Sequence, residues 1–133
     1  MKDLVWDRIL SVGVTEIDED HHKLIHIFNI LNHAITHGEP KDYLAATLNE
    51  LVNCTVWHFS HEERLMLKHR YPEAEDHKAE HQELIQSAKE LQQLLLQPGA
   101  SFAEEHVLFL EQWLTKHILT ADGLLGTYLL RVM

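Results

Sequence analysis

His58-Phe59-Ser60-His61-Glu62-Glu63 and His77-Lys78-Ala79-Glu80-His81 are the two stretches on which the fold turns. Each places metal-binding side chains four residues apart, and on an α-helix residues i and i+4 share one face. The phase of the surrounding residues then decides where that face points. Leu44, Leu48, Leu51, Thr55, His58, Glu62 and Leu65 follow a single three-or-four-residue step. His77 and His81 run directly into Leu84, Ile85, Ala88, Leu91 and Leu95. Both polar pairs therefore lie on apolar stripes that must be buried. A carboxylate such as Glu62 on a core stripe needs a partner, because an unpaired buried charge is costly. Metal coordination is the simplest way to supply one.

Outward from these stretches the chain reads as all-α. An irregular arm spans 1–17, with Trp6 able to anchor it. Helices are expected over about 18–37, 41–69, 73–96 and 102–118, followed by a short helical tail over 119–133. Asp18 is the expected N-cap of the first helix. Pro40 is expected at the first position of the second, after the Gly38 break. Tyr71-Pro72 separates the second helix from the third, and Gln97-Pro98-Gly99 closes the third. Ser101-Phe102-Ala103-Glu104 has the pattern of a capping box. Four such helices with short connections predict a single domain over 1–133, an antiparallel up-down-up-down bundle.

Inward positions of all four helices then converge. Stepping back from Leu24 and Ile25 reaches His21, with His22 at the edge of the same face as the alternative. The fourth helix brings His117, in phase with Val107, Leu110 and Leu114. Asp122 lies five residues on, and five steps of about 100° leave it roughly 140° away on an ideal helix. Both face the core only if the helix bulges, breaks or bends between them, and Thr120 could cap a fresh start there. His26, His33 and His37 fall off the stripe or near the helix end, and His61 and Glu63 flank the central pair.

The candidate set is thus His21, His58, Glu62, His77, His81, His117 and Asp122. Five imidazoles and two bridging carboxylates supply about nine bonds, and a bridging oxide or hydroxide about two more. Two roughly six-coordinate ions offer about twelve positions, so about one stays open for a small ligand. Nitrogen-rich ligation disfavours magnesium and calcium.

Composition agrees. Twelve histidines among 133 residues point to metal or proton chemistry. A net charge of −10 argues against nucleic acid or an anionic membrane as partner. The single cysteine, Cys54, excludes an internal disulfide. Met1 to Asp7 contains no apolar leader and no stretch is long enough to span a bilayer, so the expected location is cytoplasmic and the expected state monomeric.

The ordered pattern His21, His58-x3-Glu62, His77-x3-His81 and His117-x4-Asp122 resembles the hemerythrin family, in particular its single-domain bacterial members. Ser11-Val12-Gly13-Val14 with Ile17-Asp18, His58-Phe59-x-x-Glu62-Glu63, Tyr71-Pro72 and Trp113-Leu114-x-x-His117-Ile118 match it too, over essentially the whole chain. The resemblance implies two iron ions with a bridging oxo or hydroxo group and reversible O2 binding. One iron would take His77, His81 and His117, the other His21 and His58, with Glu62 and Asp122 bridging. Leu24, Ile25, Phe28, Phe59 and Leu114 are expected to wall the O2 pocket. The function implied is non-enzymatic carriage, storage or delivery of O2 to an oxygen-using enzyme. The alternative is sensing, or oxidase, peroxidase or nitric-oxide chemistry on the same site. Two positions depart from the pattern: Asp20 stands where the family usually has Gln, and Cys54 where many bacterial relatives have Tyr.

Overall fold

The computed structural model describes residue 4 and residues 10–133, and the expected anchor Trp6 lies outside them. The elements are α1 (Thr15–Thr36), α2 (Lys41–Lys68), α3 (Ala74–Leu96), α4 (Glu104–His117), a π-helical turn (Ile118–Asp122) and α5 (Gly123–Val132). No strand occurs among the described residues. The architecture is a four-helix bundle, α4 and α5 forming one helical rod interrupted by the π turn. No helix is long and apolar enough to cross a membrane.

The termini differ from expectation at several points. Helix α1 begins at Thr15, not Asp18, with Val14 as the extended residue before it. Asp18 sits inside the first turn and reaches backward. Its carboxylate accepts the Val12 N–H at 2.9 Å and the Ser11 hydroxyl at 2.5 Å. An acid there still complements the helix dipole, so its preference for the N-terminus is satisfied without its being the cap. Pro40 stands one position before α2 rather than first within it. At α4 the cap is Ala103, whose N–H donates to the His106 Nδ1 at 2.9 Å, so the Ser101–Glu104 box does not form. The tail is helical and continues α4 through the π turn, with Leu125 and Leu129 packed into the core. Thr120 donates to the Lys116 carbonyl at 2.7 Å, the back-bond of a residue within a helix rather than of a cap.

The core has two apolar layers. The larger contains Leu24, Phe28, Leu31, Leu48, Leu51, Ala88, Leu91, Leu110 and Leu114. The smaller, at the other end, contains Val12, Val14, Ile17, Leu65, Met66, Tyr71, Leu125 and Leu129. Each helical rod passes from one layer to the other, and the histidines and carboxylates fall between. Thus Ile17, His21 and Leu24 follow one another on α1, and Leu114, His117, Asp122 and Leu125 on the last rod.

The smaller layer is closed by two contacts of α5. The Tyr128 hydroxyl donates to the carbonyls of His69 and Arg70, at 2.5 and 3.1 Å, and so holds the corner between α2 and α3. Gly126 lies flat against the arm, where any Cβ would fall on the Val12 carbonyl oxygen, closer than van der Waals contact allows. Substituting Gly126→Ala should therefore destabilise the protein by about 1–3 kcal/mol, because backbone must move to admit the methyl group. Urea denaturation of the variant beside the parent chain measures this, and an unchanged midpoint would show that the arm yields freely.

Candidate metal centre

The seven side chains meet between the two layers. His21, Glu62 and Asp122 are fully buried, and His58, His77, His81 and His117 are 1–5% exposed. They form two groups able to hold a metal ion: Glu62, His77, His81, His117 and Asp122, and His21, His58, Glu62 and Asp122. The two carboxylates belong to both.

Their oxygens are divided between the groups. Glu62 directs Oε1 to the Nε2 atoms of His77 and His81, at 3.2 and 2.9 Å. Its Oε2 faces His58 Nε2 at 3.3 Å and His21 Nε2 at 4.0 Å. Asp122 directs Oδ1 to His77 and His117, at 3.2 and 3.0 Å, and Oδ2 to His21 at 2.9 Å. Several of these atoms approach one another without the alignment of a hydrogen bond. Glu62 Oε2, His117 Nε2 and both Asp122 oxygens are buried with no hydrogen-bond partner. Buried polar atoms are rarely left so. Nitrogen and oxygen atoms gathered around shared interior points, four of them without a hydrogen-bond partner, fit cations, and a set of imidazole and carboxylate suits a transition metal.

The π turn makes this closure possible. Asp122 lies five positions after His117, and i→i+5 bonding turns that interval into about one full turn. Both side chains then face inward.

Outer hydrogen bonds orient three of the rings. The Nδ1–H groups of His58, His81 and His117 donate to Asp20 at 2.8 Å, Glu63 at 3.2 Å and Glu80 at 2.9 Å. Each bond leaves Nε2 free to point inward as a ligand atom. Asp20 and Glu80 were not singled out as site residues by the sequence. Asp20 is four residues before Leu24, on the apolar stripe, and that phase was the available signal. Of the α1 doublet, His21 enters the cluster and His22 is exposed. His26, His33 and His37 are exposed as well.

Charge follows the geometry. Burial lowers the pKa of His58, but its hydrogen bond to Asp20 and the charge of the adjacent Glu62 outweigh it and raise the value to about 10. In the same way Asp122 and Glu62 overcome burial at His77, which rises to about 9. Burial and the neighbouring Asp122 raise the Glu62 pKa, but the surrounding rings of His58, His77 and His81 bring it down to about 2. Asp122 is held well below the usual carboxylate range by His117, His21 and His77, against its burial.

A small cavity adjoins the cluster. It offers about 10 Å³ to the centre of a water-sized sphere, enough for one very small molecule. Its walls include His21, His58, His117 and Asp122, together with Leu24, Phe59 and Leu114. Ile25 and Phe28 are buried but do not line it. Ile25 is rotated by about 100° from Leu24, and Phe28 lies about one turn further along α1. Thr55, Leu84, Trp113 and Ile118 complete the wall instead. Trp113 is fixed by its indole N–H, which donates to the Leu84 carbonyl at 2.9 Å. Cys54 packs on the larger core layer and does not line the cavity. Burial pushes its thiol pKa up.

Residues 12–129 match the hemerythrin HHE cation binding domain. The chain is similar to a bacteriohemerythrin of Stenotrophomonas maltophilia, with 33% identity over 115 residues, 86% of this chain and 74% of that protein. A hemerythrin-like protein of Naegleria gruberi shares 30% identity over 117 residues, 88% of this chain and 86% of the relative. The crystal structure of a wild-type hemerythrin superposes with a TM-score of 0.86 at 28% identity, covering 95% of this chain and 97% of that one.

Two outcomes follow from the cluster. Glu62→Ala or His77→Ala should weaken metal retention at least about tenfold, whereas His33→Ala, on the exposed face, should not. Metal content after dialysis reads this, and equal content in all three variants would contradict the site. Metal entry should also release protons. A ring is charged below its raised pKa, so at pH 7 His58 and His77 must each lose a proton to become ligands. Adding anaerobic Fe(II) to metal-free protein in weak buffer should release on the order of two protons per chain, and uptake should weaken as pH falls. Uptake with no proton release would mean that the rings are neutral beforehand.

Proposed function

The chain belongs to the hemerythrin family, and from that premise we propose that it binds O2 reversibly at a non-haem di-iron centre, serving to carry, store or deliver it. In this reading His77, His81 and His117 hold one iron and His21 and His58 the other. Glu62 and Asp122 span the pair, and an oxo or hydroxo group completes the bridge. The observation that carries the reading is the division of each buried carboxylate, one oxygen toward the three-histidine group and one toward the two-histidine group. Such a pair of irons, held by these residues, would supply the two-electron redox chemistry that reversible O2 binding needs.

The protein's own residues account for the rest. The cavity touches both histidines of the two-histidine half, His21 and His58, but only His117 of the other three, which favours the two-histidine half as the one open to a small ligand. Leu24, Phe59, Leu84, Trp113, Leu114 and Ile118 surround that opening and exclude water. Phe59 also stacks on His81, with ring centroids 3.7 Å apart and planes within 5° of parallel, and so fixes the ring. Thr55 is the hydroxyl in the wall, and it donates to the Leu51 carbonyl at 2.7 Å. With that proton committed, the wall outside the proposed ligands offers a guest no ready acid, base or nucleophile. This favours binding over turnover.

Cycling tests the reading. Iron-loaded protein, reduced under anaerobic conditions and then given O2, should develop a visible charge-transfer band that disappears on deoxygenation and returns on re-exposure. Rapid decay to the oxidised state with consumption of O2 in the first cycle would overturn carriage in favour of sensing or oxidase chemistry.

A further inference from the structure

The three carboxylates behind the histidines are not alike. The side chains of Glu63 and Glu80 are 33% and 42% exposed, so water screens their charge. That of Asp20 is 8% exposed and meets His58 at 2.8 Å. The same Asp20 oxygen, Oδ2, also lies 2.6 Å from His61 Nδ1. Beyond it, His61 Nε2 is 3.1 Å from Glu16 Oε2 at the surface. Two helix phases build this ladder: Glu16 and Asp20 are one turn apart on α1, and His58 and His61 one turn apart on α2.

We propose that Asp20 is a positioning residue that sets how strongly His58 donates electrons inward, and that His61, drawing on the same oxygen, tempers it. The proposal rests on the reading of His58 as a ligand of the two-histidine half. A carboxylate that accepts a ring N–H draws on the proton and pushes electron density to the opposite nitrogen, strengthening it as a ligand. An oxygen that accepts two such bonds divides its basicity between them. The charge behind His58 is buried and unscreened, whereas those behind His81 and His117 face water. The ladder therefore acts on the half whose two histidines both line the cavity, and its two members act in opposite senses.

That opposition separates electronic tuning from simple support of the fold. Asp20→Asn keeps an oxygen for the His58 N–H but removes the charge. His61→Phe keeps the charge and removes the competing donor. In zinc-loaded, 15N-labelled protein, the His58 Nδ1 proton resonance should move upfield in Asp20→Asn and further downfield in His61→Phe. In iron-loaded protein the reduction potential, read by anaerobic redox titration, should rise in Asp20→Asn and fall in His61→Phe. Asp20→Ala, which strands the ring N–H, should weaken zinc binding by about 10–100-fold, and Asp20→Asn should restore most of that loss. Shifts of both single variants in the same direction, or a His58 proton indifferent to Asp20→Asn, would overturn the proposal. The expected ring shifts in a protein that takes up zinc but no iron would support the ladder while refuting the di-iron reading.

Discussion

Two carboxylates with no solvent exposure, Glu62 and Asp122, stand in one interior site, and everything else in the molecule is compatible with that fact or follows from it. Burying one ionised carboxylate is unfavourable by several kcal/mol, and a second of the same sign beside it is worse. Asp122 raises the pKa of Glu62 and burial raises both, yet both are held ionised because five imidazoles surround them. The histidines in turn become more basic through the carboxylates, despite burial that opposes their charge. The cluster is thus internally compensated only as a whole. Removing one member leaves opposite charges buried without partners, which is more costly than never having buried them.

A polar cluster of this kind needs walls on every side, and the four-helix bundle provides them by layering. Apolar residues lie above and below the site on each rod, so that the same helical stripe is hydrophobic, then polar with imidazole and carboxylate, then hydrophobic again. The larger layer supplies the cavity wall through Leu24 and Leu114, and the smaller closes the opposite end with Ile17, Leu65 and Leu125. Such close packing leaves little freedom for the ring nitrogens, which is what a site with several shared ligand atoms requires.

Much of this was legible in the sequence because helical phase is a local property. The stripe through Leu51, Thr55, His58, Glu62 and Leu65 needs no knowledge of the partner helices, and neither does the pairing of His77 with His81. The requirement for an irregularity between His117 and Asp122 followed from the angle alone, although its form as a π turn did not. What escaped was set by tertiary partners. Helix α1 starts at Thr15 because Val12, Val14 and Ile17 are drawn into the smaller layer, which leaves Asp18 to brace the arm from inside the first turn. Asp20 lies on the stripe, but its role depends on α2 bringing His58 and His61 to it. Ile25 and Phe28 are core residues by phase, yet cavity lining depends on height along the axis as well as on face.

The π turn joins these themes. Interrupted hydrogen bonding makes such a turn unfavourable by itself, so it persists only where its surroundings fix both ends. On one side His117 is held by Glu80 and by its place beside Phe59, the ring centroids 5.3 Å apart. On the other, Leu125 and Leu129 are fully buried, Gly126 rests on the arm, and Tyr128 is bonded to the corner between α2 and α3. Asp122 is therefore placed by α5 as much as by α4. The C-terminal helix reads as simple apolar packing in the sequence, but it anchors the turn that carries one of the two carboxylates common to both candidate metal groups. Loosening the contact between α5 and the arm would release the turn, and with it the oxygens that join the two halves of the site.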